Sequence, residues 1–155
     1  MTKLITRTFL LISALFSFSS MAADDAISTG IFNDLAIDGY DSVAYFTVNK
    51  PVEGSDKFEL TWRDATWRFS SQENLELFKQ APTKYAPQYG AYCAWAMSGG
   101  KTASVDPEVW HIENGKLYLN YNKSVQQEWF ANMENDIVSA DKLYPEITNV
   151  KKYQD

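Results

Sequence analysis

Cysteine and histidine are almost missing: the chain has one of each in 155 residues. A lone cysteine cannot close an internal disulfide, and without a second there is neither a Cys-x-x-Cys pair nor a resolving thiol. Positive charge is also short, with 14 basic residues against 20 acidic ones and a net charge of −6. An acidic surface repels phosphate backbones and anionic headgroups, which disfavours nucleic acid and membrane partners. The apolar run Phe9–Phe18 is too short to span a bilayer. Internal repeats and low-complexity stretches are absent.

The N-terminus nevertheless carries a pattern. Lys3 and Arg7 form a positive n-region, Phe9–Phe18 an apolar h-region, and Ser20-Met21-Ala22 a small-residue cleavage site. This predicts a secretory signal peptide over residues 1–22, hence a periplasmic or secreted protein with no membrane span after processing. The absence of cysteine at the cleavage point argues against a lipid anchor. The mature chain from Ala23 would carry 12 basic and 20 acidic residues, a net −8. Its length suits one domain with a core of its own. Residues 23–30 read as a flexible lead-in, 31–145 as the domain and 146–155 as a C-terminal tail.

Within the domain, Asp41 is placed to cap a short helical turn over Val43–Phe46. Phe58, Leu60 and Trp62 alternate with polar residues, as a strand does. A turn at Asp64-Ala65 would set Trp62 opposite Trp67 and Leu60 opposite Phe69. Ser70 and Glu73 have capping-box spacing for a helix over about 71–80, which Pro82 stops. Residues 82–90 read as loop, and 91–98 as a short helix ended by Gly99-Gly100. Asn114-Gly115 is a type I′ turn signal that pairs Ile112 with Leu117, Trp110 with Leu119, and His111 with Tyr118 on the opposite, polar face. Ser124 and Gln127 would box the start of a longer helix carrying Val125, Trp129, Met133 and Ile137 on one face, with order ending at Pro145. The sum is an α+β fold: two β-hairpins and about three helices around an aromatic core. Five tryptophans and nine tyrosines are available to build it.

Three stretches, "GYDSVAYF" (39–46), "WRFSSQENLELFKQAPTKYAPQYGAYCAWA" (67–96) and "DPEVWHIENGKLYLNYNKSVQQEW" (106–129), together resemble the YHS domain family in its small exported form. The resemblance covers most of residues 31–145. Ser42 stands where proline is usual and Ala91 where a second glycine is usual. The resemblance implies a treble-clef-like hairpin–helix element and a metal role. Metal-binding relatives place cysteines at the end of the second strand and in the first turn of the next helix; here those places hold Ser70 and Asn74, poor ligands for a thiophilic metal.

Chemistry then centres on Cys93 in "YGAYCAWAMSGGK", with Tyr92 and Trp95 as neighbours in a small-ligand site. On a helix, Cys93 and Met97 would share a face, and a thiolate with a thioether suits Cu(I), with His111 as a third ligand. Alternatively Cys93 is the nucleophile or redox thiol of an enzyme, with His111 as its base. The plain alternative is packing, with Cys93 a small buried hydrophobe and Met97 a gap filler. A third class is a non-catalytic module that recognises another exported protein. The readings differ in what they require: soft donors at Cys93, a base or cation at Cys93, or an exposed apolar patch.

Overall fold

The computed structural model describes residues 22–154; the signal-peptide reading falls almost wholly on residues 1–21, outside the described residues. Among the described residues no helix is long and apolar enough to cross a membrane. The architecture is α+β, with two antiparallel two-stranded sheets and six α-helices among the described residues.

Strands β1 (Ser55–Trp62) and β2 (Ala65–Phe69) form the first hairpin, preceded by the short helix α1 (Ala44–Thr47). The turn is Arg63-Asp64, both left-handed at φ 52° and 62°, so Trp62 pairs with Ala65 and Leu60 with Trp67. The register thus differs by two residues from the sequence expectation. A shift of two keeps every side chain on its face. Trp62 still meets Trp67 edge-on at 5.7 Å, now as a diagonal neighbour. Helix α2 (Gln72–Gln80) follows and lays Phe78 against Trp62, Trp67 and Phe69, with ring centroids 5.6, 5.0 and 5.1 Å apart. This is the expected hairpin–helix element. Its cap is Ser71, which accepts from Asn74 N, rather than Ser70, whose side chain is committed elsewhere.

Pro82 does stop α2, yet it also opens a new helix, α3 (Pro82–Tyr85), because proline is favoured in a first turn. The chain then makes a tight turn over Gln88–Ala91 before α4 (Ala94–Ser98). Tyr89, Gly90 and Ala91 are all left-handed (φ 63°, 63° and 65°), so the helix expected from residue 91 begins three residues later. Gly90 is required there, since a Cβ would lie 1.8 Å from the Ala26 carbonyl oxygen. Left-handed Tyr89 and Ala91 cost on the order of 1–2 kcal/mol each.

The second hairpin, β3 (Asp106–Glu113) and β4 (Lys116–Asn120), has the expected register: Trp110–Leu119, His111–Tyr118 and Ile112–Leu117. Its second face is not polar. Leu117 and Leu119 join the larger aromatic core on one side, while Tyr118 packs with Tyr89, Met97 and Trp129 in a smaller core on the other. Covering that second face are α5 (Lys123–Ala131) and α6 (Met133–Ile147). They were expected as one helix; Asn132 (φ −140°) breaks it, and the cap of α5 is Asn122, not Ser124.

Both ends differ from expectation. The supposed lead-in is packed: Ala26 and Ile27 are buried, and Asp24 bridges Thr148. Order does not stop at Pro145, which sits inside α6; the 3-10 turn Asn149–Tyr153 buries Val150 and ties Lys152 and Tyr153 to Asp64. The two ends secure each other through the hydrogen bond from Ala26 N to Asn149 Oδ1.

Candidate functional site

Cys93 stands just ahead of α4 with extended-type backbone (φ −57°, ψ 120°), not on the helix. The helical i, i+4 argument linking it to Met97 therefore fails, though the Met97 N–H does donate to the Cys93 carbonyl. Cys93 is 1% exposed. Its thiol donates to Asn120 Oδ1 at 3.6 Å, and the same oxygen accepts from Trp95 N at 3.3 Å. Met97 is fully buried in the smaller core with Tyr118 and Trp129. The two nearby aromatic residues have different surroundings. Tyr92 is half-buried and donates to the Asp25 carbonyl at 3.1 Å, and burial, then Asp24 and Asp25, pushes its pKa up to about 12. Trp95 lies 41% exposed.

His111 does not serve the thiol. Its Nε2 lies 3.3 Å from Glu113 Oε2, and its ring sits edge-on to Phe130 at 5.1 Å and Trp129 at 6.0 Å. Among the described residues no group of three His, Cys, Asp or Glu side chains could hold a metal ion. The donor set at Cys93 is one thiol and one amide oxygen already accepting from a backbone N–H, which fits a packing role and gives Cu(I) no second sulfur shown facing the first. Thus Tyr92 bonds to Asp25, Cys93 to Asn120 and His111 to Glu113, and among the described residues no hydrogen bond joins the Cys93 thiol to Met97 or His111.

Composition and spacing gave no sign of the most organised polar cluster, which surrounds Asp41. This carboxylate is wholly buried. Oδ1 accepts from Val43 N at 2.9 Å and Ala44 N at 3.2 Å, capping α1 as its position before Val43 suggested. Oδ2 accepts from Ser70 N at 2.8 Å, Ser70 Oγ at 2.6 Å and Asn74 Nδ2 at 2.7 Å. Ser70 and Asn74 are the two positions at which the resemblance puts metal-binding cysteines. Here they converge on a carboxylate, and a buried charge with five donors is satisfied without a cation.

Two surface features stand apart from these clusters. One is the loop Thr29–Ala36, closed by an antiparallel bridge between its end residues and carrying Ile31 and Phe32 at 93% and 97% exposure. Beside it is a hollow of about 360 Å³ whose walls include Leu35, Ile37, Ala91 and Val105, with Asp38 its one charged lining residue among the described residues. The other is a cleft of about 340 Å³ between the tip of the first hairpin and α6, where Arg63 and Asp141 meet Trp62, Pro87, Tyr144 and Pro145. The exposed Ile31-Phe32 dipeptide was legible as two adjacent apolar residues next to a glycine, but exposure itself is not a property of local sequence.

Compared with known proteins, the chain matches no family model, no curated protein and no solved structure.

Proposed function

We propose that this protein is an exported YHS-type module that acts by binding another protein, not by catalysis or metal chemistry. The carrying observation is the Ile31–Phe32 tip. Two large apolar side chains stand in water side by side, on a loop pinned by the Thr29–Ala36 bridge and by Asn33, whose Oδ1 accepts from Leu35 N at 3.0 Å. Covering such a pair is worth on the order of 3–6 kcal/mol. A pinned loop loses little further freedom on docking. The enzyme and copper readings need a reactive or soft-ligated Cys93, and the buried thiol bonded to an amide favours neither.

The partner is a protein that offers an apolar pocket for Phe32 and an apolar side chain for the adjoining hollow, with a cation opposite Asp38. Asp34 and Asp38 are both exposed at this end and, among the described residues, no cation lines the hollow, so anionic lipid is a poor occupant. The YHS assignment draws support from the hairpin–helix element and from Ser70 and Asn74 meeting across it, Nδ2 to Oγ at 3.4 Å. Export is supported by the residue 1–22 pattern, and intact mass tests it: a chain starting at Ala23 or Asp24 is expected, and a retained Met1 on the exported protein would count against it.

A photo-reactive phenylalanine at position 32, irradiated in the producing cell, tests the docking tip. One discrete adduct with a different protein is expected. It should be absent when the same group replaces Val138, which is 55% exposed, and should fade when Ile31→Asp is added. No adduct, identical adducts from both positions, a second copy of this chain, or cross-linking to lipid would each overturn the proposal.

A further inference from the structure

We propose that the cleft between the first hairpin and α6 binds a small aromatic carboxylate, with Arg63 as the receptor for its carboxyl group. This site is separate from the Ile31–Phe32 tip and does not rest on the protein-binding reading. Its volume, about 340 Å³, lies within the range of small-molecule sites and equals roughly ten waters. That admits a single ring with a short acidic side chain.

Among the described residues Arg63 is the one cation that lines the cleft. Its guanidinium lies over the Trp62 ring at 4.4 Å and near the Tyr153 ring at 5.5 Å. Among the described residues it makes no ion pair and no side-chain hydrogen bond. Stacking uses the face of a guanidinium and leaves the N–H edge free, which is the edge that grips a carboxylate in a two-point fork. The neighbouring carboxylate, Asp64, is already engaged by Lys152 at 2.8 Å and Tyr153 at 2.6 Å, so it does not neutralise Arg63. Burial is the main cause that pushes the Tyr144 hydroxyl up to about 12, and the charge of Arg63 pulls it back, which places the cation against the aromatic wall.

The apolar walls come from Trp62, Pro87, Tyr144 and Pro145, flat surfaces suited to a ring. Among the described residues Asp141 is the single anionic lining residue. Its Oδ1 accepts from the Tyr89 hydroxyl at 2.9 Å, and Oδ2 is without a partner among the described residues. A carboxylate at Arg63 and a hydroxyl donor for Asp141 are therefore matched by a hydroxylated aromatic acid. Tyr89 and Gly90 of the left-handed run also line the cleft, where Gly90 packs tightly against the Ala26 carbonyl and its own carbonyl accepts from Ser28 N at 2.7 Å. Strained backbone held this firmly is concentrated where a surface must keep its shape.

Calorimetric titration of the mature protein with 4-hydroxyphenylacetate, p-cresol and acetate separates the contributions. Saturable one-to-one binding is expected for 4-hydroxyphenylacetate, with p-cresol and acetate each weaker by about tenfold or more. Arg63→Asn should weaken the acid by about tenfold while leaving the thermal midpoint in place, because asparagine accepts the left-handed turn position. Arg63→Lys, which retains the charge but not the fork, should fall between the two. No saturable binding of the acid, equal affinity for p-cresol, or undiminished affinity in both Arg63 variants would overturn the assignment.

Discussion

Asp41→Asn replaces one carboxylate oxygen by an NH₂ group inside a cluster built only of donors. If the remaining oxygen stays with Val43 N and Ala44 N, the new NH₂ faces Ser70 N, Ser70 Oγ and Asn74 Nδ2, now at 2.8, 2.6 and 2.7 Å from Oδ2. Ser70 Oγ can turn its hydrogen away and accept, which recovers one contact. Asn74 is half-buried and can swing toward water. The Ser70 backbone N–H has no such freedom, and stranding it costs about 1–3 kcal/mol. Losing the charge-assisted bond to Asn74 adds about 1.5 kcal/mol. The total is about 3 kcal/mol, or a fall of roughly 10 °C in melting temperature for a domain of this size. Flipping the amide only moves the conflict to the two N–H groups that start α1. Urea unfolding followed by tryptophan fluorescence reads the change directly, since Trp67 is buried beside this element. Asn74→Ala removes a single donor and leaves the carboxylate four others, so it should cost less than Asp41→Asn. A loss under about 0.5 kcal/mol for Asp41→Asn, or a larger loss for Asn74→Ala, would refute the view that the carboxylate organises this corner.

The Cys93 thiol should resist a bulky disulfide reagent in the native state and react only on unfolding, because it is 1% exposed; fast native labelling would restore a chemical role. Cys93→Ser retains Asn120 Oδ1 as a hydrogen-bond partner, so in urea melts it should cost no more than about 1–2 kcal/mol. Burial raises the tyrosines Tyr92, Tyr118 and Tyr144 to about 12. A phenol that is harder to ionise folded than unfolded stabilises the fold below about pH 10 and loses that contribution as pH rises through about 12. Absorbance at alkaline pH should therefore show these three ionising together with unfolding, and reversible ionisation of all of them near pH 10 in folded protein would contradict it.

What was legible in the sequence was local. The second hairpin's register follows from Asn114-Gly115, since a type I′ turn needs two left-handed residues and these accept that conformation (φ 50° and 74°). Alternation in Phe58–Trp62 placed the right face of the first hairpin inward, although its turn, Arg63-Asp64, carries no glycine to mark it. The α+β class and the α2 helix followed from periodicity and from Pro82. Cap assignments failed where a serine had a tertiary use: Ser70 resembles a cap in sequence, but Asp41 claims its side chain, and Ser71 caps α2 instead.

Burial, by contrast, was decided by chain segments far apart. Cys93 is enclosed because Asn120 comes beside it at the end of β4, and nothing near residue 93 announces that. His111 was placed on a polar face because the hairpin register sets it opposite the apolar face of Trp110 and Ile112, yet α5 brings Trp129 and Phe130 over it. The two ends, each polar enough to read as loose, hold each other across the Asp24–Thr148 bridge. Local sequence sets the backbone's periods and turns, because those depend on sterics within a few residues. Which side chains meet, and whether a thiol or a carboxylate ends in water or in the core, depends on contacts between residues tens to over a hundred positions apart, and only the folded chain decides them.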